Sequence, residues 1–208
     1  MNYTDALISE YLNEELDEIS GKFDTLGNQL SEQQAEYFKD SKAEKDGKLE
    51  VCYHYSNSDF DIFDKSKINN GLSSGFNMWG AGFYFTDNGN SNAYNLPYKK
   101  TVYLNIENPY YLGMADSMEQ IEKFITNAGY DFSKYTDTRP NTKAAVYECC
   151  GITYQDDFRK FFVEQILKQG FDGLIIVAPK ATEYVVYESN QIKSIDNKYP
   201  TKDENINK

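Results

Sequence analysis

Hydrophobic residues recur every three or four positions in three stretches of the chain, which is the spacing of an amphipathic helix. The stretches are residues 1–20, 117–128 and 158–169, and the glycines that follow them are Gly21, Gly129 and Gly170. Glycine often follows the last turn of a helix, so these residues mark the predicted ends. A shorter helix is predicted after Ser31, because Gln34 stands three positions later and the two side chains can form a capping box.

Other stretches carry the aromatic and β-branched residues typical of strands. They are "LEVCYHYS" (49–56), "GFYFTD" (82–87), "KTVYLNIENPYYL" (100–112), "FDGLIIVA" (171–178) and "TEYVVYESNQIKSI" (182–195). The third is predicted to be a strand that ends at Asn108-Pro109, and the last is one or two strands. Asp46-Gly47 is a hairpin-type pair, and residues 91–98 resemble a helix start stopped by Pro97. Strands dominate with helices between them, which predicts an α+β fold.

The distribution of charged and apolar residues along the 208-residue chain predicts three parts. Hydrophobic residues make up 40% of the chain and aromatic residues 15%, which is enough for one substantial core. We predict an acidic helical extension over 1–48, a single domain over 49–198, and a flexible tail over 199–208. No internal repeat is present.

The charge balance argues against nucleic acid as a partner. The net charge is −12, and residues 1–50 hold thirteen acidic and five basic side chains. An acidic surface repels phosphate backbones, and adjacent basic residues occur only as the isolated pairs Lys99-Lys100 and Arg159-Lys160. The acidic N-terminal segment is predicted either to dock a partner or simply to cover the core.

Cysteine and histidine content argues against a structural metal. The chain has three cysteines, of which two are adjacent, and one histidine, so it has neither a disulfide framework nor zinc-ligand spacing. The N terminus lacks the basic and apolar regions of a signal peptide, and no apolar run reaches membrane-spanning length. We therefore expect no metal, no membrane association, and a monomer in a reducing cytoplasm.

Several residues could carry chemistry, although each has a simpler structural explanation. His54 lies in an aromatic strand, where a lone histidine is usually bonded to backbone. Gly80 and Gly82 precede a strand and can mark only a bulge or turn. Tyr84 and Tyr94 are two of eighteen tyrosines. Glu183 opens a strand, where a carboxylate is either solvated or directed into a cleft.

Taken together and in this order, these residues resemble the ADP-ribosyltransferase superfamily, in its His-Tyr-Glu branch of diphtheria-type toxins and poly-ADP-ribose polymerases. The motifs are "YHYS", "GAGFYFTD" followed by "SNAY", and "TEYVVYE". Four further segments resemble the version found in phage polyvalent proteins: "SEQQAEYFKDSK", "VYLNIENP", "FDGLII" and "ESNQIKSI". The resemblance covers about residues 49–196 and implies a split, two-sheet β core with flanking helices.

The resemblance also implies roles in binding and cleaving NAD⁺. Glu183 would orient the ribose hydroxyls and stabilise positive charge in an oxocarbenium-like transition state. His54 would bond to a ribose hydroxyl of the adenosine half, while the Tyr55 backbone would hold the nicotinamide amide. Tyr84 and Tyr94 would stack on the nicotinamide ring. The remaining implied contacts to the dinucleotide are Ser56, Gly82 and Asn92.

Three features depart from the family pattern. Tyr55 replaces the glycine common after the histidine, and its ring could narrow the site. The gap between Asp87 and Tyr94 is about one residue short, which leaves Ser91 or Asn92 as the small polar contact. Ala-Thr precedes Glu183, so the type of target residue is left open.

The predicted function is mono-ADP-ribosyl transfer from NAD⁺ to a host protein. The resemblance implies a phage-encoded toxin or anti-defence effector that acts in the bacterial cytoplasm, delivered with the phage particle or made there. Two alternatives stay open: an NAD⁺ glycohydrolase, with water as acceptor, and an inactive NAD⁺- or partner-binding module. A module that only binds has no use for the carboxylate of Glu183, which favours an enzyme.

Overall fold

The fold is built from nine strands, three α-helices and two short 3₁₀ helices within the residues that the computed structural model describes, which are 23–68, 81–90, 95–113, 117–130 and 156–208. The helices are α1 (Glu32–Tyr37), α2 (Ser117–Asn127) and α3 (Asp156–Lys168). The strands are β1 (Glu44–Lys45), β2 (Lys48–Leu49), β3 (Cys52–Ser56), β4 (Phe83–Thr86), β5 (Tyr98–Leu104), β6 (Pro109–Gly113), β7 (Gly173–Val177), β8 (Thr182–Val186) and β9 (Ile192–Ser194).

Seven of these strands form one mixed sheet in the order β6-β7-β8-β4-β3-β5-β9. Only β6 and β7 run parallel, and every other neighbouring pair is antiparallel. The β1–β2 hairpin stands apart as a second, small sheet. This mixture of a largely antiparallel sheet with flanking helices confirms the α+β class.

The large sheet consists of two blocks joined at a narrow point. Strand β3 pairs with β5 over its whole length, Cys52–Ser56, and β4 pairs with β8 over Phe83–Thr86. Between β3 and β4, however, the register is limited to the pair Tyr53–Thr86. We call this place the β3–β4 joint. The family resemblance implied a β core split into two sheets, and the structure has this narrowing within one seven-stranded sheet.

All three helices pack on the same face of the sheet, which we call the helix face. Helices α2 and α3 bury Ile125 and Phe162 against Val185 of β8. The segment around α1 buries Phe38 against Tyr103 of β5. The strand register places Val185 and Tyr103 on the same side, because paired residues share a face and residues two apart along a strand also share it.

The opposite face carries a second core rich in phenylalanine, which we call the aromatic face. Phe83 and Phe85 of β4 project there and pack against Phe63, a residue that is 2% exposed. The ring centroids of Phe63 and Phe83 are 5.3 Å apart at an interplanar angle of 70°, an edge-to-face contact. Because successive side chains of β4 point to opposite faces of the sheet, Phe83 and Phe85 pack in one core and Tyr84 packs in the other.

Local turn and cap chemistry forms as the sequence predicts. The Ser31 hydroxyl accepts a hydrogen bond from the Gln34 amide at 3.0 Å, and the Gln34 side chain accepts one from the Ser31 amide at 2.9 Å. Asp46 and Gly47 take φ values of 53° and 71°, as a tight hairpin turn requires. Gly129 and Gly170 have φ values of 82° and 87° after α2 and α3, the left-handed conformation that glycine adopts readily.

The four further segments that resemble polyvalent proteins are linked to one another through two buried glutamines, Gln34 and Gln191. Buried Gln191 accepts from the amides of Tyr187 and Glu188, and it donates to the carbonyls of Asn105 and Asp172. "ESNQIKSI", "VYLNIENP" and "FDGLII" therefore meet at one amide side chain. The segment "SEQQAEYFKDSK" reaches the sheet through Gln34, whose amide donates to the carbonyls beside β9.

Two predictions about elements were wrong, and both errors arise from long-range contacts. Asn108-Pro109 does not simply end a strand, because Pro109 begins β6, which pairs with β7. The C-terminal residues are not frayed: Ile206 is 3% exposed, and its amide donates to the Asp61 carbonyl at 2.9 Å. The buried Lys193 ammonium also bonds to the main chain of Asp203 and Asn205.

The predicted N-terminal boundary is also changed by packing. Residues 23–48, which the sequence analysis assigned to an extension, contribute to the domain core. Asp24 is fully buried and accepts a hydrogen bond from the Tyr103 hydroxyl at 2.8 Å. The helix predicted within residues 1–20 lies outside the described residues, as do most of the ambiguous segment 131–157 and the cysteines at 149 and 150.

Candidate active site

The three motif strands meet in the middle of the sheet. Strand β3 carries His54, β4 carries Tyr84, and β8 carries Glu183; β4 lies between the other two. On the helix face, Tyr53, Thr86 and Glu183 form a row across these strands, because Tyr53 pairs with Thr86 and Thr86 pairs with Glu183. All three residues are partly buried. The row lies between two buried clusters of the helix face. One is formed by the segment around α1 with Tyr103, and the other by α2 and α3 with Val185.

Tyr84 and Glu183 are neighbours on this face. Tyr84 pairs with Val185, and Glu183 lies two positions before Val185 on the same strand and face. Diagonal neighbours of this kind are within reach of long and aromatic side chains. The Tyr84 ring packs against the cluster that includes Val185, so one side of the ring is supported by the core. An aromatic platform and a carboxylate therefore share one strip of the sheet.

His54 connects β3 to β4 beyond the point at which their pairing ends. Its Nδ1 atom lies 2.8 Å from the main-chain oxygen of Tyr84. A carbonyl oxygen can only accept, so Nδ1 carries the proton and the neutral ring presents Nε2 as an acceptor. Burial lowers the pKa of His54 from its ordinary value of 6.5, against the opposing effect of the Tyr84 carbonyl. The imidazole is therefore neutral at neutral pH.

The His54 ring projects to the aromatic face, opposite Tyr84 and Glu183. Its centroid lies 5.0 Å from that of Phe63, 5.5 Å from that of Phe85 and 6.0 Å from that of Phe60. The structure therefore brings His54 to the main chain of Tyr84 rather than to its ring. At the β3–β4 joint the predicted site is therefore divided between the two faces of the sheet, with Tyr84 and Glu183 on the helix face and the His54 ring on the aromatic face.

Tyr55 fixes the loop that follows β4. Its ring lies on the helix face, and its hydroxyl donates to the Gly89 carbonyl. Gly89 in turn sits on the Tyr53 ring, where an added Cβ would come within 2.9 Å of a ring carbon. The tyrosine that replaces the family glycine is thus a tie between β3 and the loop. Ser56 ends β3, and its hydroxyl donates to the Ser58 carbonyl at 2.8 Å.

Gly82 is required by packing within the sheet. An added Cβ would lie 2.4 Å from Cγ1 of Val185 and 3.2 Å from the Val186 carbonyl. No ordinary side chain fits beside β8 without moving it. This packing is a sufficient reason for a glycine here; the sequence analysis offered a bulge or turn, and the family resemblance implied in addition a contact to the dinucleotide. Gly80, Ser91, Asn92 and Tyr94 lie outside the described residues.

Two lysines lie on β5, the strand that pairs with β3 on the side away from the joint. Lys99 is paired with Tyr55, and its ammonium lies 5.1 Å from the Tyr53 ring centroid on the helix face. Lys100 is paired with His54 and contacts Asp59 at 2.5 Å on the other side of the sheet. The basic pair noted in the sequence therefore borders the candidate site, with one cation on each face.

Sequence reasoning did not single out Asp87, which links two motif strands. Its carboxylate accepts a hydrogen bond from the Thr182 amide at 2.9 Å, and its own amide donates to the Thr182 carbonyl at 3.1 Å. The only signal available was its place directly after an aromatic strand. Asp87 lies beside Thr182, the residue before Glu183, because β4 pairs with β8, a segment about a hundred residues further along the chain.

Over the described ranges, no group of three or more His, Cys, Asp or Glu side chains is arranged to hold a metal ion. In the same part of the chain, no helix has the length and apolar character needed to cross a membrane.

A comparison with protein families identifies the family of this chain. The family model for the ADP-ribosyltransferase of polyvalent proteins matches residues 44–202, about three quarters of the chain. The chain therefore belongs to this family, and ADP-ribosyl transfer is the reaction class that the match supports. Neither the curated proteins nor the solved structures include a significant match.

Proposed function

We propose that this protein is a mono-ADP-ribosyltransferase that transfers ADP-ribose from NAD⁺ to a protein of a bacterial host. The observation that carries the proposal is the arrangement at the β3–β4 joint. Tyr84 and Glu183 are neighbours on one face, and the neutral His54 ring bonds to the main chain of Tyr84 from the other. Membership of the polyvalent-protein family supports a phage effector, acting as a toxin or against host defence.

In this proposal the dinucleotide spans the joint. The nicotinamide half lies on the helix face, where Tyr84 supplies a stacking surface for the cationic ring. The adenosine half lies near His54, whose Nε2 accepts a hydrogen bond from a ribose hydroxyl. Tyr94 and Asn92 are further proposed contacts, as are Ser56 and the main chain of Tyr55 and Gly82.

The reaction needs little acid–base chemistry from the protein. The bond between ribose C1′ and the pyridinium nitrogen breaks, and its electron pair leaves with neutral nicotinamide. Positive charge then develops over C1′ and the ring oxygen of the ribose, where the Glu183 carboxylate stabilises it. A nucleophile of the target attacks C1′ and releases its proton. If water takes that place, the same residues catalyse NAD⁺ hydrolysis.

The experiment that tests this proposal uses NAD⁺ labelled in its adenylate half, incubated with the purified protein and a bacterial lysate. We expect label on a lysate protein, a mass increase of one ADP-ribose unit by mass spectrometry, and loss of both with Glu183→Gln. Free ADP-ribose without labelled protein would identify a glycohydrolase instead. Unchanged NAD⁺ under all conditions would contradict both enzymatic functions and leave a binding module.

A further inference from the structure

Asp87 and Thr182 form a reciprocal pair that continues the β4–β8 ladder by one step. The last regular pair is Thr86–Glu183. In the next pair, the Asp87 amide donates to the Thr182 carbonyl at 3.1 Å, as in an ordinary ladder. The return bond differs, because the Thr182 amide donates at 2.9 Å to the Asp87 carboxylate. A side chain thus takes the place of a main-chain acceptor while the chain turns into the next loop.

This bond acts directly on the backbone that carries Glu183. Thr182 is the first residue of β8 and precedes Glu183. The end of a strand is where pairing ordinarily frays, and a hydrogen bond to an ionised acceptor is roughly twice as strong as one between neutral groups. Asp87 is partly buried, which limits competition from water. The carboxylate therefore holds the strand entrance at the position of the candidate catalytic residue.

The loop that contains Asp87 is itself anchored on the other side. Gly89 rests on the Tyr53 ring, and the Tyr55 hydroxyl donates to the Gly89 carbonyl. The amide of Asn88 also bonds to the Thr86 hydroxyl at 3.1 Å. Because the loop is tied to β3, loss of the Asp87 carboxylate would free the Thr182 amide and loosen this edge of β8, which stays bonded through the Thr182 carbonyl and paired with Val177 of β7.

We propose that Asp87 is a positioning residue that sets the placement of Glu183 by holding the Thr182 amide. This inference rests on the proposed function for its catalytic consequence, whereas its structural part stands independently. Positional errors of about 1 Å can cost catalysis up to about a hundredfold. Asn retains an oxygen acceptor, and Ala does not, so the two substitutions separate loss of the bond from loss of the charge.

The kinetic test measures single-turnover nicotinamide release by Asp87→Ala, Asp87→Asn, and both in a Glu183→Gln background. We expect Asp87→Ala to slow release by about 10- to 100-fold with little change in NAD⁺ affinity, and Asp87→Asn by less than about threefold. In the Glu183→Gln background Asp87→Ala should have almost no further effect. An equal loss in both backgrounds would overturn the proposal, because the residue would then act independently of Glu183.

A second measurement does not depend on activity. Hydrogen exchange at the Thr182 amide should be fast in Asp87→Ala and remain slow in Asp87→Asn. The matched control is Asp203→Ala, which removes another carboxylate that accepts from a main-chain amide, that of Asn205 at 2.9 Å. It should leave both Thr182 exchange and nicotinamide release unchanged. Slow exchange in Asp87→Ala would refute the positioning role, whereas fast exchange without NAD⁺ cleavage in the parent would refute only the proposed function.

Discussion

At the scale of single residues, His54 offers a direct test because it is the one histidine of the chain. Its pKa is lowered by burial from 6.5, so its single imidazole signal in an NMR titration should have a midpoint below 6.5. The unfolded chain binds this proton more readily than the folded protein. Stability should therefore fall as pH decreases below about 6.5 and be insensitive to this group above it.

NAD⁺ affinity should follow the same titration, because a protonated Nε2 can no longer accept a hydrogen bond from a ribose hydroxyl. Affinity should be constant at neutral pH and fall as the pH drops through the folded-state pKa. In His54→Gln this part of the pH dependence should disappear. A titration midpoint at or above 6.5 would contradict the neutral, bonded ring described here.

Substitutions at Gly82 test whether packing against β8 requires a glycine at this position. Gly82→Ala should lower the free energy of unfolding by about 1–3 kcal/mol, because its Cβ would lie 2.4 Å from Cγ1 of Val185. The double variant Gly82→Ala/Val185→Ala should lose less than the sum of the single losses, since the smaller side chain removes the closest clash. Chemical denaturation measures both quantities. Strictly additive losses would show that this contact does not govern the position.

The residues of the site illustrate what a sequence can and cannot predict. That His54, Tyr84 and Glu183 lie on strands follows from local aromatic and β-branched patterns. The reason for Gly82 could not be found locally, because the strand that excludes its side chain lies about a hundred residues further on. The same holds for Tyr55, because nothing in its local sequence indicates that its hydroxyl bonds to the loop after β4.

At the scale of elements, local chemistry predicted helices and turns well. The capping box at Ser31, the Asp46-Gly47 turn and the glycines after α2 and α3 each act within a few residues. Strand β6 was missed because its pairing with β7 depends on a partner more than sixty residues away. A proline at the first position of a strand is compatible with such pairing, so Asn108-Pro109 alone was ambiguous.

The Gln191 side chain connects three segments of the chain through four hydrogen bonds, so its removal should lower the free energy of unfolding. Gln191→Ala leaves two amides and two carbonyls without their partner, so we expect a loss of at least about 2 kcal/mol in the free energy of unfolding. The exposed Gln169→Ala is the matched control and should change it by less than about 0.5 kcal/mol. Equal stability of the two variants in denaturant titrations would contradict the network.

At the scale of the whole molecule, the sheet order explains how distant motifs become neighbours. Strands β3, β4 and β8 are neighbours although about 130 residues separate the first from the last. The order of strands could not be read from hydrophobic periodicity, and the family resemblance implied a fold class but no strand order. Within the described residues, contacts to the body of the domain hold Asp24 and Ile206, and the local sequence around neither residue indicated them.

The proposed transferase mechanism depends most on the carboxylate of Glu183. If it stabilises charge that develops only in the transition state, its loss should reduce turnover much more than binding. Glu183→Gln keeps the shape of the side chain and removes its charge, while Glu188→Gln is the matched control on an exposed glutamate five residues later.

The decisive measurement is single-turnover nicotinamide release by the parent, Glu183→Gln and Glu188→Gln, alongside calorimetric NAD⁺ binding and melting temperature. For Glu183→Gln we predict a loss in rate on the order of 10²–10³, with affinity and melting temperature nearly unchanged. Glu188→Gln should match the parent in all three. Release of nicotinamide by Glu183→Gln at the parent rate would mean that the carboxylate is structural, and it would contradict the proposed transferase mechanism.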